Sequence, residues 1–458
     1  MFDHLRSPVT LGTLQLRNRI AMSAMGVEIA GEDGRAGEPI IAYYEERARG
    51  GVGLVITEVC AVAYPRGATA HRQLAISSDD YLPGLRELTD RVHRHGAKIA
   101  LQLVHHGKVS RVDVQDGRPV LMPSLPRFKG ANDMANDLSR EEIGLLMKAA
   151  GTGTRKPEIK VADEQDIAWV IDAFASAALR ARRAGFDAVE LHAAHGYLLS
   201  EFLSPAWNFR EDAYGGSREN RARLLCEVLR AAKARAGQDF PIWARIDCRE
   251  FRTPGGITVE DAERTAELAA EAGADAIHVS AYSDSTSAAG FTEGPLVHAE
   301  AGYVEETARI KAKVGVPVIA VGRIEPELGD RLIREGKADV IAMARKLLVW
   351  TQYHFQVGGG YVEDRIIYPD GMVVRGCIRE DVRDLVRRDP AWLKSKDCDV
   401  LESVEKPEED ALGELDPAFL TSSWLSTDEG GHFRVRPCGG IILPMRHRKR
   451  RQDHPVGG

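Results

Sequence analysis

The chain has 458 residues, 44% of them hydrophobic and 28% charged, a soluble globular composition long enough to bury a large core. Its 61 Lys and Arg against 68 Asp and Glu leave a net charge of −7, which argues against a general nucleic-acid binder. Cys60, Cys226, Cys248, Cys377, Cys398 and Cys438 are scattered without short pairs, so neither a disulfide framework nor a zinc site is expected, and isolated thiols fit a reducing compartment.

The opening MFDHLRSPVTLG has no apolar h-region and no small-residue cleavage pattern, and no run of about 18 apolar residues follows, so the expectation is a cytoplasmic protein without a membrane span. From residue 19 onward one pattern recurs: a short apolar or β-branched run, a polar loop, then a longer stretch with helical spacing. The apolar runs are RIAMSAM (19–25), GLVITEV (53–59), KIALQLV (98–104), AVELH (188–192), PIWARI (241–246), AIHVSA (276–281), PVIAVG (317–322) and VIAMAR (340–345). Helices are predicted over 81–95, 164–184, 218–236, 259–272, 303–314 and 326–335, several closed by a glycine. Strands that alternate with helices pair in parallel, and eight of them predict an α/β fold, a closed (β/α)8 TIM barrel, over residues 1–348. Two stretches break the rhythm. Residues 105–163 are too long for one connection plus one helix and read as a loop insertion. Residues 349–458 read as an irregular, partly disordered C-terminal extension ending in the basic run MRHRKRRQDHPVGG, taken as a solvated tail.

In such barrels chemistry collects at the C-terminal ends of the strands. Ser23, Ala24, Met25 and Gly26 stand there on the first strand, Glu58 and Cys60 on the second, and Gln102 and His105 on the third. His192, His195 and Tyr197 follow the fourth, Arg245 ends the fifth, Gly322 and Arg323 the seventh, and Ala344 and Arg345 the eighth. This set lacks the paired carboxylates of a glycosidase and suits an anion together with a polar heterocycle. Loops after the last two strands of such barrels often bind phosphate, and AVGRI and AMARK supply a glycine and two arginines there. Two histidines three residues apart are by themselves compatible with a metal site or with a polar loop.

The chain resembles the old yellow enzyme superfamily of FMN-dependent ene-reductases, in particular the branch of 2,4-dienoyl-CoA reductases and NADH:flavin oxidoreductases. The resemblance rests on LGTLQLRNRIAMSAM, YYEERARGGVGLVITE, ALQLVHHGK, GFDAVELHAAHGYLLSEFLSPAWNFREDAYGGSRENRARLL and PVIAVGRI with GKADVIAMARKLL. It implies FMN across the barrel mouth, with its phosphate on Gly322, Arg323 and Arg345 and Ala344 beside them. Gln102 would bond the pyrimidine edge, and Arg245 would stand near N1 and O2. Ser23, Ala24, Met25 and Cys60 would contribute backbone or packing contacts, with Cys60 read as a buried filler. His192 and His195 would hold the carbonyl oxygen of an activated C=C substrate, and Tyr197 would give the proton after hydride arrives from flavin N5. NADH or NADPH is the implied reductant, the partner is a small molecule, and a homo-oligomer is allowed.

Two departures matter. Gly26 offers no side chain where relatives often carry one beside the flavin. Cys377, Cys398 and Cys438 are too far apart for the iron–sulfur cluster of larger members, so FMN is expected to be the sole redox centre. The rival readings are an amine dehydrogenase or demethylase of the same superfamily and a degenerate flavin-binding protein.

Overall fold

A computed structural model describes residues 2–127, 157–251, 253–283, 301–344 and 346–347, together with the backbone of five short strands between 361 and 435. Eight parallel strands close into a barrel: β1 (Ile20–Met22), β2 (Leu54–Ala61), β3 (Lys98–Val104), β4 (Ala188–Ala193), β5 (Ile242–Phe251), β6 (Ile277–Ser283), β7 (Val318–Ala320) and β8 (Val340–Met343). Closure is made by β8 against β1, with Ile341 beside Ile20 and Met343 beside Met22. Each strand lies where the sequence marks one. β1 is shorter than expected, because the chain leaves the ladder after Ser23, whose N–H still reaches the Met343 carbonyl at 2.8 Å. β5 is longer, running on to Phe251.

Among the described residues seven helices of eight or more residues pack outside: α1 (Glu38–Arg49), α2 (Leu82–His93), α3 (Glu164–Arg183), α4 (Arg218–Ala236), α5 (Val259–Glu271), α6 (Val304–Lys311) and α7 (Pro326–Arg334). The starts of α3 and α5 are fixed by reciprocal caps, Asp163 with Asp166 and Thr258 with Asp261. Six of these helices match the predicted ranges. α1 is the addition: IIAYY reads locally as strand, yet Pro39 sits in its first turn and Ile40, Ile41, Tyr43, Tyr44 and Ala48 are buried on the core side.

The long connection after β3 holds a short helix, Arg111–Asp116, and a parallel pair, Val120–Met122 with Ile159–Val161; residues 128–156 lie outside the described part. Helical backbone resumes at 346–347 after β8, and the candidate closing helix EDVRDLVRR at 380–388 lies outside the described residues. Farther on, three strands between Tyr361 and Val400 form one antiparallel sheet and two between Leu425 and Val435 form another. Among the described residues no helix is long and apolar enough to cross a membrane.

Two large clusters make up most of the core among the described residues. Ala21, Leu54, Ile56, Ala100, Ala188, Trp243, Ala276, Ile319, Val340 and Ala342 form an apolar layer from alternate strand positions, filled chiefly by Trp243. A larger cluster joins the strands to the helices and includes Phe174 of α3, which is 0% exposed. Truncating Phe174 to Ala should cost about 3–5 kcal/mol. A chemical denaturation curve with a lower midpoint and an unchanged slope is the expected result.

Candidate active site

The stretch HAAHGY closes β4 and turns the chain back. His195 and Gly196 both adopt left-handed backbone, with φ of 61° and 67°. A Cβ on Gly196 would stand 2.7 Å from the Tyr282 ring, so only glycine fits. His195 is held in this uncommon conformation by its backbone N–H, which donates to Asp247 Oδ2 at 2.6 Å. Tyr197 then leads into a short helix, Leu198–Leu203, whose side chains are all buried. The turn folds the three site residues together: the His192 ring lies 4.9 Å from both the His195 and the Tyr197 ring, edge to face.

Beneath them the inward positions of neighbouring strands carry polar groups. Glu190, two residues before His192 on β4, is completely buried. Its Oε1 accepts from Gln102 Nε2 at 2.6 Å, and its Oε2 accepts from Trp243 Nε1 and His278 Nδ1, each at 2.6 Å. Burial raises the Glu190 carboxyl, but the His278 contact, Arg245 and the Trp243 N–H together outweigh it, and the net shift is downward. Burial lowers His278, and because an ionised carboxylate only accepts, His278 Nδ1 carries a proton toward it. Arg245 stands beside His192 and His278 in the strand register and donates to Ser23 Oγ at 3.3 Å and Ser280 Oγ at 3.1 Å. Ser280 Oγ also lies 2.7 Å from His195 Nε2, so one hydroxyl links the arginine to the histidine.

Of the remaining expected residues, Ala24 and Met25 are half-buried where the chain leaves β1. Gly26 is exposed, and a Cβ there would meet nothing within 4 Å. Cys60 is fully buried in the larger core cluster, where burial pushes its thiol up, so it packs and does not ionise. Gly322 follows β7 with φ of 122°, and a Cβ would fall 2.5 Å from the Tyr303 ring. Arg323 is exposed with φ of 54°, and Ala344 is half-buried after β8. Arg345, Cys398 and Cys438 lie outside the described residues, and of Cys377 only the strand backbone is described.

Sequence reasoning gave several groups no role. Glu58 on β2 ties two loops to the barrel mouth: Oε2 accepts the N–H of Val27 at 2.8 Å and of Glu28 at 3.1 Å, and Oε1 that of Leu74 at 3.1 Å. His106 donates from Nδ1 to the Gly67 carbonyl at 2.9 Å and packs its ring 4.6 Å from Tyr197. Its neighbour His105 shares the apolar setting, and burial lowers the two to about 4 and about 3. Burial also drives His192 and His195 well below the ordinary histidine range and raises the Tyr197 phenol. Around neutral pH the site therefore offers neutral imidazoles, a protonated phenol and the guanidinium of Arg245.

Among the buried side-chain atoms without a hydrogen-bond partner in the structure are His192 Nδ1 and Arg245 Nε. In native proteins such groups are nearly always satisfied, and these two lie at the strand ends, where a polar ligand would supply the missing partner. A cation, an amide and two imidazoles converging at the strand ends fit the pyrimidine edge and carbonyl oxygens of a flavin and its substrate. The fold and site thus define a barrel of the flavin oxidoreductase class.

Comparison with known proteins agrees. The chain belongs to the NADH:flavin oxidoreductase / NADH oxidase family, which it matches over residues 4–362. FMN is the cofactor of this family, with NAD(P)H as reductant. An NADPH dehydrogenase of Geobacillus sp. is 37% identical over 347 residues, covering 75% of this chain and 90% of that protein. An NADH oxidase of Thermoanaerobacter brockii is 37% identical over 354 residues, covering 76% of this chain but 49% of its own length. The chain spans about half the length of such longer curated relatives. Among solved structures, morphinone reductase in complex with tetrahydroNAD superposes with a TM-score of 0.59 at 26% identity, covering 75% of this chain and 87% of that one.

The Glu58 carboxyl gives a test of the mouth. Burial, only partly offset by its three N–H donors, raises it from 4.5 to about 7. The folded state therefore holds a proton that the unfolded chain releases, and this contribution is present below pH 4.5 and lost as pH rises through 7. Glu58→Gln should flatten the pH dependence of stability across this window by up to about 3 kcal/mol, read by denaturant unfolding at several pH values.

Proposed function

We propose that the protein reduces the C=C bond of α,β-unsaturated carbonyl compounds, enones or enoyl and dienoyl thioesters, with electrons from NAD(P)H. The observation that carries this reading is the triad of buried His192 with half-buried His195 and Tyr197 near Arg245, with His192 Nδ1 left without a partner. FMN, when bound, would supply the redox chemistry that carries hydride from NAD(P)H to the substrate.

The protein side chains do the rest. Gly322 and Arg323 would hold the phosphate, a role the sequence resemblance also gives Arg345, and Ser23, Ala24, Met25 and Ala344 would pack around the ring system. Gln102 takes the pyrimidine edge and Arg245 the N1 and O2 side, where a fixed cation favours negative charge. His192 and His195, kept neutral by burial, donate N–H hydrogen bonds to the substrate carbonyl oxygen. These bonds strengthen as the oxygen gains charge and so favour the transition state over bound substrate. Tyr197, its phenol raised by burial, stays protonated and gives its proton to the carbon next to the carbonyl. The names of the NADPH dehydrogenase and morphinone reductase relatives support a reductase that accepts electrons from a nicotinamide.

Tyr197→Phe separates the two half-reactions. In anaerobic stopped-flow, reduction of the bound flavin by NAD(P)H should persist while reoxidation by 2-cyclohexenone slows by about 100-fold or more. Reoxidation at the unaltered rate would remove Tyr197 from the proton-donor role.

A further inference from the structure

A buried carboxylate that none of the proposed chemical steps uses stands directly beneath the site. Glu190 receives three hydrogen bonds, and the nature of the donors fixes the orientation of every group around it. Trp243 Nε1–H can only donate. His278, bonded through Nδ1 to a carboxylate that only accepts, donates as well. Both converge on Oε2, which leaves Oε1 for Gln102. An ionised carboxylate accepts only, so Gln102 must turn its NH2 downward, and its carbonyl oxygen is the end left for the barrel mouth.

The geometry points to Glu190 as the positioning residue that sets the polarity of the Gln102 amide, so that the mouth presents a hydrogen-bond acceptor to a ring N–H. This rests on the flavin reading above, in which Gln102 meets the pyrimidine edge. The ring atom that matches an acceptor there is N3–H, flanked by two carbonyl groups. An amide turned the other way would set N–H against N–H, leaving two desolvated donors unpaired.

The same logic predicts what a neutral isostere does. In Glu190→Gln, the Trp243 and His278 donors draw the new carbonyl oxygen to their side, and the new NH2 faces residue 102. Gln102 must then present its oxygen downward and its NH2 to the mouth. Flavin binding should weaken by about tenfold or more. The flipped amide also favours the N3 anion, so ionisation of N3–H, followed by absorbance at alkaline pH, should shift down by about 1 pH unit. Combining Glu190→Gln with Gln102→Glu restores an acceptor at the mouth, because a carboxylate presents oxygen in either orientation.

The experiment reconstitutes wild type, Glu190→Gln and the double variant with FMN and measures the dissociation constant and the N3–H ionisation of each. The expected result is a loss of affinity and a downward ionisation shift in the single variant, both recovered in the double variant. Unaltered binding and ionisation in Glu190→Gln overturn the inference, as does lost affinity without the ionisation shift, which is what a merely structural role gives. Should the single variant not fold, the double variant decides: wild-type ionisation supports the inference and a lowered one overturns it. Wild-type protein that takes up no FMN removes the flavin reading itself, a different outcome from any of these.

Discussion

A closed eight-strand barrel gives each strand one inward face, and side chains on it alternate with period two. Along β4 the inward series is Ala188, Glu190, His192; along β5 it is Trp243, Arg245, Asp247; along β6 it is Ala276, His278, Ser280. The lower members are apolar and pack, and the upper ones are polar and lie beneath or at the mouth. Buried charge is tolerated only where partners satisfy it, and here each charge meets one from an adjoining strand. Glu190 is served from β3, β5 and β6, while Arg245 reaches Ser23 from β1 and Ser280 from β6. Shifting any of these strands by one residue would exchange its polar inward set for apolar residues, so closure of the barrel and assembly of the site are one event.

The tight turn after β4 depends on the same arrangement. His195 is not a residue that favours left-handed backbone, and Asp247 on β5 supplies the hydrogen bond that holds it there. Two consecutive left-handed residues carry the chain across the barrel mouth, so that His192, His195 and Tyr197, separated in sequence, face one space. Burial then does the electrostatic work, keeping the histidines neutral and the phenol protonated. A site that depends on hydrogen-bond donors near neutral pH gains from both effects.

How much of this was legible in the sequence follows from the range of the signals. Strand positions and the turn HAAHGY are local, written in apolar runs and glycine, and each of the eight runs forms a strand. Gln102, Arg245 and the histidines stood out as polar residues at strand ends. Glu190 and Asp247 did not, because each sits between apolar neighbours and its role comes from partners on other strands. Glu58 was visible at a strand end, but the backbone N–H groups it collects come from loops 31 and 16 residues away. His106 was hidden beside His105. Helix α1 was missed because its buried face is rich in β-branched and aromatic residues, which score as strand until tertiary packing decides.

The central claim is that the polar barrel mouth holds a flavin that a nicotinamide can reduce. The most direct measurement is the visible absorption spectrum of the purified full chain reconstituted with FMN, recorded anaerobically before and after addition of NADH or NADPH. The account predicts about one FMN retained per chain and bleaching of its long-wavelength band by at least one of the two nicotinamides. A protein that retains no flavin after reconstitution, or one whose bound flavin neither nucleotide bleaches, would contradict it.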